Sequence, residues 1–354
     1  MKLVFAASLL LTGCNIAVDD AAQEETRQAQ APHPASDATL HFEDVSDTGP
    51  PQPSRPLLKA QVALDRLGFS PGVIDGKKGQ SFRLALRGFQ EANGLALSGE
   101  LDQPTAAALE RRAVPATRLM RIPAAFARGP FVPDLPREAS AQAKLPAIGY
   151  RTVVEALAER FHTTPETLVA LNPPGTKVGA GAVLRVPNIA AAPVPTAPDD
   201  RGWSRTLQTL GVADQQPAAA KVVVDKSESV LKVFDEAGKL IAQFPATMGS
   251  QHDPLPIGTW KIQGVSRNPD FHYNPKLFWD VSNNKQAVML KSGPNGPVGV
   301  AWLDLSKPHY GIHGTSEPAT IGRAESHGCV RLTNWDVAKL AGMVTPGTPA
   351  IFQE

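Results

Sequence analysis

Cys329 lies in the run Ser326-His327-Gly328-Cys329-Val330-Arg331-Leu332, a short stretch after His313-Gly314-Thr315. A thiol attacks a carbonyl as the thiolate, so it needs a base or a positive charge close by. A lone Cys with a His elsewhere in the chain is the pattern such a site leaves in a sequence. On this reading Cys329 is the nucleophile. His313 takes its proton, or holds it as half of a thiolate–imidazolium pair. Attack on an amide makes an oxyanion, which needs donors already in place. Gly328 lets the backbone turn tightly before the nucleophile, and the amides of Gly328 and Cys329 are the candidate donors.

The neighbouring residues admit two readings each. Arg331 is two residues from Cys329, and on a strand it would share the same face. Its guanidinium could grip a substrate carboxylate bidentately or form a structural ion pair. Ser326 can contact substrate or hydrogen-bond the loop. Tyr310 and Trp302 can line the pocket wall or belong to the core. His327 reads better as scaffold, packed under the loop. A zinc site built from His309, His313, His327 and Cys329 is the alternative chemistry. It is disfavoured because no His-Glu-x-x-His occurs and the β texture around Gly311 would not put His309 and His313 on one helical face. No metal and no cofactor is expected.

The rest of the chain says where this thiol works. The protein has 354 residues, a net charge of +1 and two cysteines. That charge carries no electrostatic footprint for nucleic acid. Its 33 prolines are roughly twice the average share, which points to linkers between domains. Met1-Lys2, an apolar run from Leu3 to Leu11 and Thr12-Gly13-Cys14 resemble a secretory signal too short to span a bilayer. Leu11-Thr12-Gly13-Cys14 also resembles a bacterial lipobox. That resemblance implies lipidation of Cys14, a membrane anchor and a periplasmic protein. Asn15 is not the Asp that retains lipoproteins in the inner membrane, which tilts the expectation to the outer membrane of a Gram-negative cell. With Cys14 lipidated, Cys329 has no partner for a disulfide, and an exported unpaired thiol calls for a catalytic explanation.

Composition and periodicity divide the chain into a signal peptide (1–13), a disordered tether (14–55), a helical domain (56–113), a linker (114–147), a small α/β module (148–189), a second linker (190–217) and a mostly β domain (218–354). The tether is poor in large apolar groups and cannot offset its ordering entropy. Leu57, Ala60, Leu64 and Leu67 repeat at helical spacing, as do Phe82, Ala85, Leu86 and Phe89. Asp102 and Pro104 announce a third helix. In the next module Val154, Leu157, Ala158 and Phe161 form one helical face, and Thr163-Thr164-Pro165-Glu166 starts another helix. Short β-rich runs joined by tight turns follow Lys221.

Three resemblances cover these segments. Leu67-Gly68-Phe69, Pro71-Gly72, Asp75-Gly76, Gly79, Phe89-Gln90, Gly94-Leu95 and Gly99 look like the three-helix peptidoglycan-binding domain. The run from Phe161 to Leu171-Asn172-Pro173, then Gly181 to Val186-Pro187, resembles a βααβ LysM module, with Gly149-Tyr150-Arg151 as its first strand. Such a module can bind glycan or serve only for packing. Residues 220–354 resemble the L,D-transpeptidase catalytic domain, or YkuD family, on Gly311-Ile312-His313-Gly314-Thr315, Ile321-Gly322-Arg323 and the Ser326 to Leu332 run. The implied fold is multidomain α+β. The implied partners are peptidoglycan stem peptides and glycan. The resemblance implies that the Gly314 carbonyl orients His313, and that a tetrapeptide loses D-Ala to give a thioester on Cys329. An amine then resolves the thioester as a 3-3 cross-link. A wall-anchoring protein without catalysis is the competing class. It would keep two wall-binding modules and a lipid anchor but would have no use for the intact Cys329 motif.

Overall fold

The computed structural model describes residues 40–190, 200–277, 281, 285–323, 326 and 328–354. Cys14, the expected signal peptide (1–13) and His327 lie outside them. None of the helices among the described residues is long and apolar enough to cross a membrane.

The first helices follow from their caps and apolar faces. Helix α1 (Pro56–Arg66) starts on a proline, whose missing N–H costs nothing there. Helix α2 (Gln80–Ala92) buries Phe82, Ala85, Leu86 and Phe89. Helix α3 (Gln103–Glu110) is capped by Asp102, whose carboxylate accepts from Thr105 N–H at 3.0 Å. Two single-turn helices, α4 (Ala124–Ala127) and α5 (Ala139–Gln142), precede α6 (Val153–Arg160) and α7 (Pro165–Leu171). Thr152 and Thr164 cap the last two by accepting from the Glu155 and Thr167 amides.

A small antiparallel sheet corrects two of the sequence boundaries. Strand β1 (Glu43–Val45) comes from the expected tether, β2 (Thr117–Arg121) from the expected linker, and β3 (Val183–Pro187) from the second module; they pair in that order. Leu40, Phe42, Met120 and Ile122 enter the core beneath that sheet, so these stretches do bury apolar groups. Gly149-Tyr150-Arg151, expected as the first strand of a LysM-like unit, forms none. Tyr150 turns inward instead, and β3 takes β2 as its partner. Helix α8 (Arg201–Leu210), inside the second expected linker, buries Trp203, Leu207 and Leu210 in the C-terminal core.

The C-terminal part is mostly β. Its strands are β4 (Lys221–Asp225), β5 (Val230–Phe234), β6 (Leu240–Pro245), β7 (Thr247–Met248), β8 (Gly258–Arg267), β9 (Phe271–Tyr273), β10 (Val288–Leu290), β11 (Ala301–Leu305), β12 (Gly311–His313), β13 (Val330–Arg331) and β14 (Pro349–Gln353). Among the described residues β9 and β10 form a hairpin, and the others a sheet in the order β6-β5-β4-β14-β8-β11-β12-β13-β7. Helix α9 (Asn334–Met343), capped by Thr333, packs its fully buried Trp335, Val337 and Leu340 against this sheet.

Residues 39–354 hold together as one unit. Helix α1 contributes Leu58 and Val62 to the core under the small sheet, and Ala60, Ala63 and Leu64 to the core of the helical part. Leu240 of β6 closes that second core. Gln243 of the same strand donates to Leu84 O at 2.7 Å and sits where a side chain on Gly88 would be. The architecture is α+β, helical towards the N-terminus and mostly β towards the C-terminus, with its parts packed directly on one another.

Candidate active site

Register brings the chemistry together. Strands β12 and β13 run parallel, with Ile312 opposite Val330 and His313 opposite Arg331. Residues at the same level of paired strands share a face, so His313 and Arg331 stand side by side. Cys329 immediately precedes β13, and its thiol makes a hydrogen bond with the Gly311 backbone. On the other flank β11 runs antiparallel to β12 and places Trp302 opposite His313. The two rings stack, with centroids 5.5 Å apart and planes 18° from parallel. The indole also lies over Gly311: a Cβ there would stand 2.4 Å from Trp302 Cζ2, which is why this strand opens with glycine. Trp302 Nε1 donates to Asp304 Oδ1 at 3.3 Å.

The loop before β13 is fixed from below. Gly328 has φ +94°, and a side chain there would meet Tyr310 Cε1 at 2.7 Å, so Tyr310 backs the loop. Ser326 is buried, and its hydroxyl is fully engaged. It donates to the Cys329 carbonyl at 2.6 Å and accepts from Gly249 N–H at 2.7 Å. Of the two readings open for Ser326, the geometry places it in the loop's own hydrogen bonding. Two clefts of roughly 450 and 530 Å³ flank residues 54–56, away from Cys329. Neither contains a member of the Cys329–His313 group.

The electrostatics favour a neutral pair at rest. His313 is buried, and Nδ1 lies 2.8 Å from the Gly314 carbonyl oxygen. A carbonyl only accepts, so Nδ1 carries the proton and Nε2 keeps its lone pair. Burial, joined by the positive Arg331, pushes the His313 pKa down to about 4, against the pull of the Gly314 carbonyl. Burial also raises the Cys329 thiol, partly offset by a backbone hydrogen bond with Gly311 and by the charge of Arg331. The half-buried Sγ lies 3.9 Å from the His309 carbonyl, an acceptor that suits a protonated thiol. His309 has φ +69° and presents this carbonyl to the sulfur. Among the described residues no three His, Cys, Asp or Glu side chains gather as metal ligands.

A raised thiol pKa sets a measurable reactivity. Alkylation of Cys329 by iodoacetamide, followed by peptide-resolved mass spectrometry, is expected to rise about tenfold per pH unit from pH 6 to 8, following the thiolate fraction. A flat rate across that interval would mean that a thiolate–imidazolium pair already exists in the free protein.

One feature of the site escaped sequence reading. Asn334, the first residue of α9, is fully buried, and its Oδ1 takes the place a side chain on Gly314 would occupy, 2.3 Å from that Cβ position. An asparagine after a helix-capping threonine gives no sequence signal of that contact.

Comparison with known proteins assigns the class. Residues 219–352 match the L,D-transpeptidase catalytic domain (YkuD), and residues 56–109 match a putative peptidoglycan binding domain. A Bacillus licheniformis protein, "Putative L,D-transpeptidase YkuD", is 29% identical over 197 residues, covering 55% of this chain and 90% of that protein. A Bacillus subtilis protein of the same description is 60% identical over 61 residues, which are 17% of this chain and 37% of that protein. "Probable L,D-transpeptidase YbiS" of Escherichia coli is 28% identical over 134 residues, 37% of this chain and 44% of that protein. A solved L,D-transpeptidase from Mycobacterium smegmatis overlaps with a TM-score of 0.31 at 22% identity, covering 38% of this chain and 58% of that one. The chain carries an L,D-transpeptidase catalytic domain of the YkuD family joined to a peptidoglycan-binding domain, and it is an L,D-transpeptidase enzyme.

Proposed function

We propose that the protein acylates itself on Cys329 with a peptidoglycan stem tetrapeptide, releases D-Ala and passes the acyl group to an amine. The observation that carries this reading is the parallel register of β12 and β13. It sets His313, with Nδ1 tied to Gly314, on one face with Arg331, and Cys329 immediately precedes β13. Sγ attacks the carbonyl carbon of the third stem residue while its proton passes to His313 Nε2. The amides of Gly328 and Cys329 take the oxyanion. The amide C–N bond then breaks, the leaving D-Ala amine takes the proton from Nε2, and a thioester remains. An incoming amine attacks the thioester, gives its proton to His313 and forms the new amide, and the proton returns to Sγ. Arg331 is the group suited to a substrate carboxylate, and its charge lies close to both reacting side chains.

In this reading the transfer produces 3-3 cross-links during wall remodelling. The helical part, residues 56–113, holds the enzyme to peptidoglycan. Lipidation of Cys14 anchors it at the periplasmic side of the outer membrane, with residues after Cys14 as the tether. The lipobox-like Leu11-Thr12-Gly13-Cys14 supports that placement.

Incubation with a disaccharide-tetrapeptide is expected to release D-Ala and to leave an adduct on Cys329, read by intact-mass and peptide mass spectrometry. Absence of both with folded protein would overturn the reading. Defined acceptors added to the same assay identify what resolves the thioester.

A further inference from the structure

Glu159 belongs to α6, outside the catalytic domain, yet its carboxyl is buried against the start of α9. Tyr150 Oη donates to its Oε2 at 2.8 Å. Asn334 Nδ2 donates to both carboxyl oxygens at 3.1 Å, and also to the Pro294 carbonyl at 3.0 Å. The amide group of Asn334 is therefore oriented: its nitrogen faces acceptors, and its oxygen faces the active site. Oδ1 accepts from Val300 N–H at 3.3 Å and rests on the backbone of Gly299 and Gly314, 2.1 and 2.3 Å from where their Cβ atoms would stand. The Gly314 peptide is held by its own N–H, which donates to Val298 O at 3.0 Å. Its carbonyl accepts the Nδ1 proton of His313.

A second set of contacts ties the same loop to the same module. Ile148 N–H donates to Ser292 O at 3.0 Å, and Asn295 N–H returns a bond to Ile148 O at 3.1 Å. Asn295 Nδ2 reaches Gly149 O at 3.0 Å and Glu155 Oε1 at 3.2 Å. A side chain on Gly293 would stand 2.2 Å from Ile148 O, so the two backbones meet without room for one. The stretch from Ile148 to Glu159 thus grips residues 292–300, which in turn bear on Gly314. A packing role alone would be met by apolar side chains. A buried carboxyl with three donated hydrogen bonds is costly unless every partner stays in place, so it fixes orientation as well as position.

We propose that Glu159 is a positioning residue for His313, acting through Asn334 and the Gly314 peptide, so that the second module completes the site built by the catalytic domain. The inference rests on the reading of His313 as the base. Without Glu159 the Asn334 amide loses the acceptor that orients it, and the Gly314 carbonyl loses its backing. The imidazole is then free to exchange tautomers, and the one with Nδ1 unprotonated turns a protonated Nε2 to the thiol, which cannot take its proton.

The test compares Glu159→Ala, Glu159→Gln and Asn334→Ala in the full chain. Glu159→Ala is expected to lower kcat for acylation roughly 100-fold with KM unchanged, the scale of a small misplacement of reacting groups. Glu159→Gln keeps the shape and an acceptor for Asn334, while Tyr150 Oη can accept from the new amide; it is expected to restore most of kcat. The double variant Glu159→Ala with Asn334→Ala is expected to lose no more than the worse single one, because both act on one chain of contacts. A readout independent of turnover is the ¹⁵N spectrum of histidine-labelled protein. His313 should show a fixed Nδ1–H tautomer in the wild type and Glu159→Gln, and tautomer exchange in Glu159→Ala. A Glu159→Ala protein with wild-type kcat and a fixed tautomer overturns the proposal, as does a kcat loss that only follows the folded fraction and that Gln does not rescue. Should the wild type form no adduct on Cys329, the functional reading fails on that result, while the histidine spectra still decide the positioning chain.

Discussion

Cys329→Ala is expected to abolish acylation and D-Ala release while leaving the fold where it is. The chemical loss follows from role. When a nucleophile that works as a unit with its base is removed, turnover falls on the order of 10⁴- to 10⁶-fold, and what remains comes from binding and oxyanion stabilisation. The small structural loss follows from environment. The side chain is half-buried, and among the described residues its Sγ makes a long contact with the His309 carbonyl and a hydrogen bond with the Gly311 backbone. The loop that carries it is held by Ser326 and backed by Tyr310, neither of which involves the sulfur. Unfolding free energy is therefore expected to change by less than about 1 kcal/mol, the range of substitutions that touch no packed feature. The measurement pairs chemical denaturation with intact-mass detection of the adduct. A variant that keeps turnover would show that Cys329 is not the nucleophile. One that loses several kcal/mol would show that the sulfur carries packing that the geometry does not assign to it.

The candidate pair, His313 and Cys329, was legible in sequence because its members lie close in the chain, on or next to paired strands. His313, Gly314, Gly328, Cys329 and Arg331 need only the β12–β13 pairing to meet, and their own local signals describe the turn and strand on which they sit. Trp302 was named without its role, because its stacking on His313 depends on the β11–β12 register and on the missing side chain of Gly311. Glu159 and Asn334 are 175 residues apart, and no periodicity reports a contact of that kind. The same holds for the supposed linkers. Leu40, Phe42, Met120 and Ile122 are sparse apolar residues among Pro, Ala and charged groups, a texture that reads as tether until β1 and β2 find β3. Strand pairing between distant segments wins over local composition because burial is judged by the whole core.

The junction of the three parts predicts the largest effect on stability. Asp65 of α1 is buried, and its Oδ1 meets His162 Nδ1 at 3.0 Å and Lys339 Nζ at 2.8 Å. Those partners come from the turn after α6 and from α9. His162 also stacks on Trp335 at 5.1 Å, and its Nε2 lies 3.0 Å from Leu210 O. One carboxylate therefore joins the helical part, the second module and the catalytic domain. Burial alone would raise its pKa, but the facing His162, whose own pKa burial lowers, and the charged Lys339 overcome that through their charge and hydrogen bonds and hold it well below the ordinary aspartate value. Asp65→Asn keeps the volume and removes the charge, leaving Lys339 buried without this counter-ion. Breaking one side of a buried pair in this way costs about 3–5 kcal/mol. In a protein of this size that is a fall in Tm of roughly 4–8 °C, read by calorimetry. The pH dependence has a definite sign. A carboxylate with a lowered folded-state pKa contributes fully above its unfolded value of about 3.9, and the contribution fades as pH falls through the lower folded value. The gap between wild type and Asp65→Asn should therefore be complete at pH 6 to 8 and close only in strong acid. The calorimetric trace also tests whether the parts unfold together: one transition in the wild type, splitting in Asp65→Asn, is the signature of a junction that couples them. A variant within 1 kcal/mol of wild type at pH 7 would mean that the apolar cores shared through Leu58, Val62 and Leu240 hold the parts together without the ion cluster.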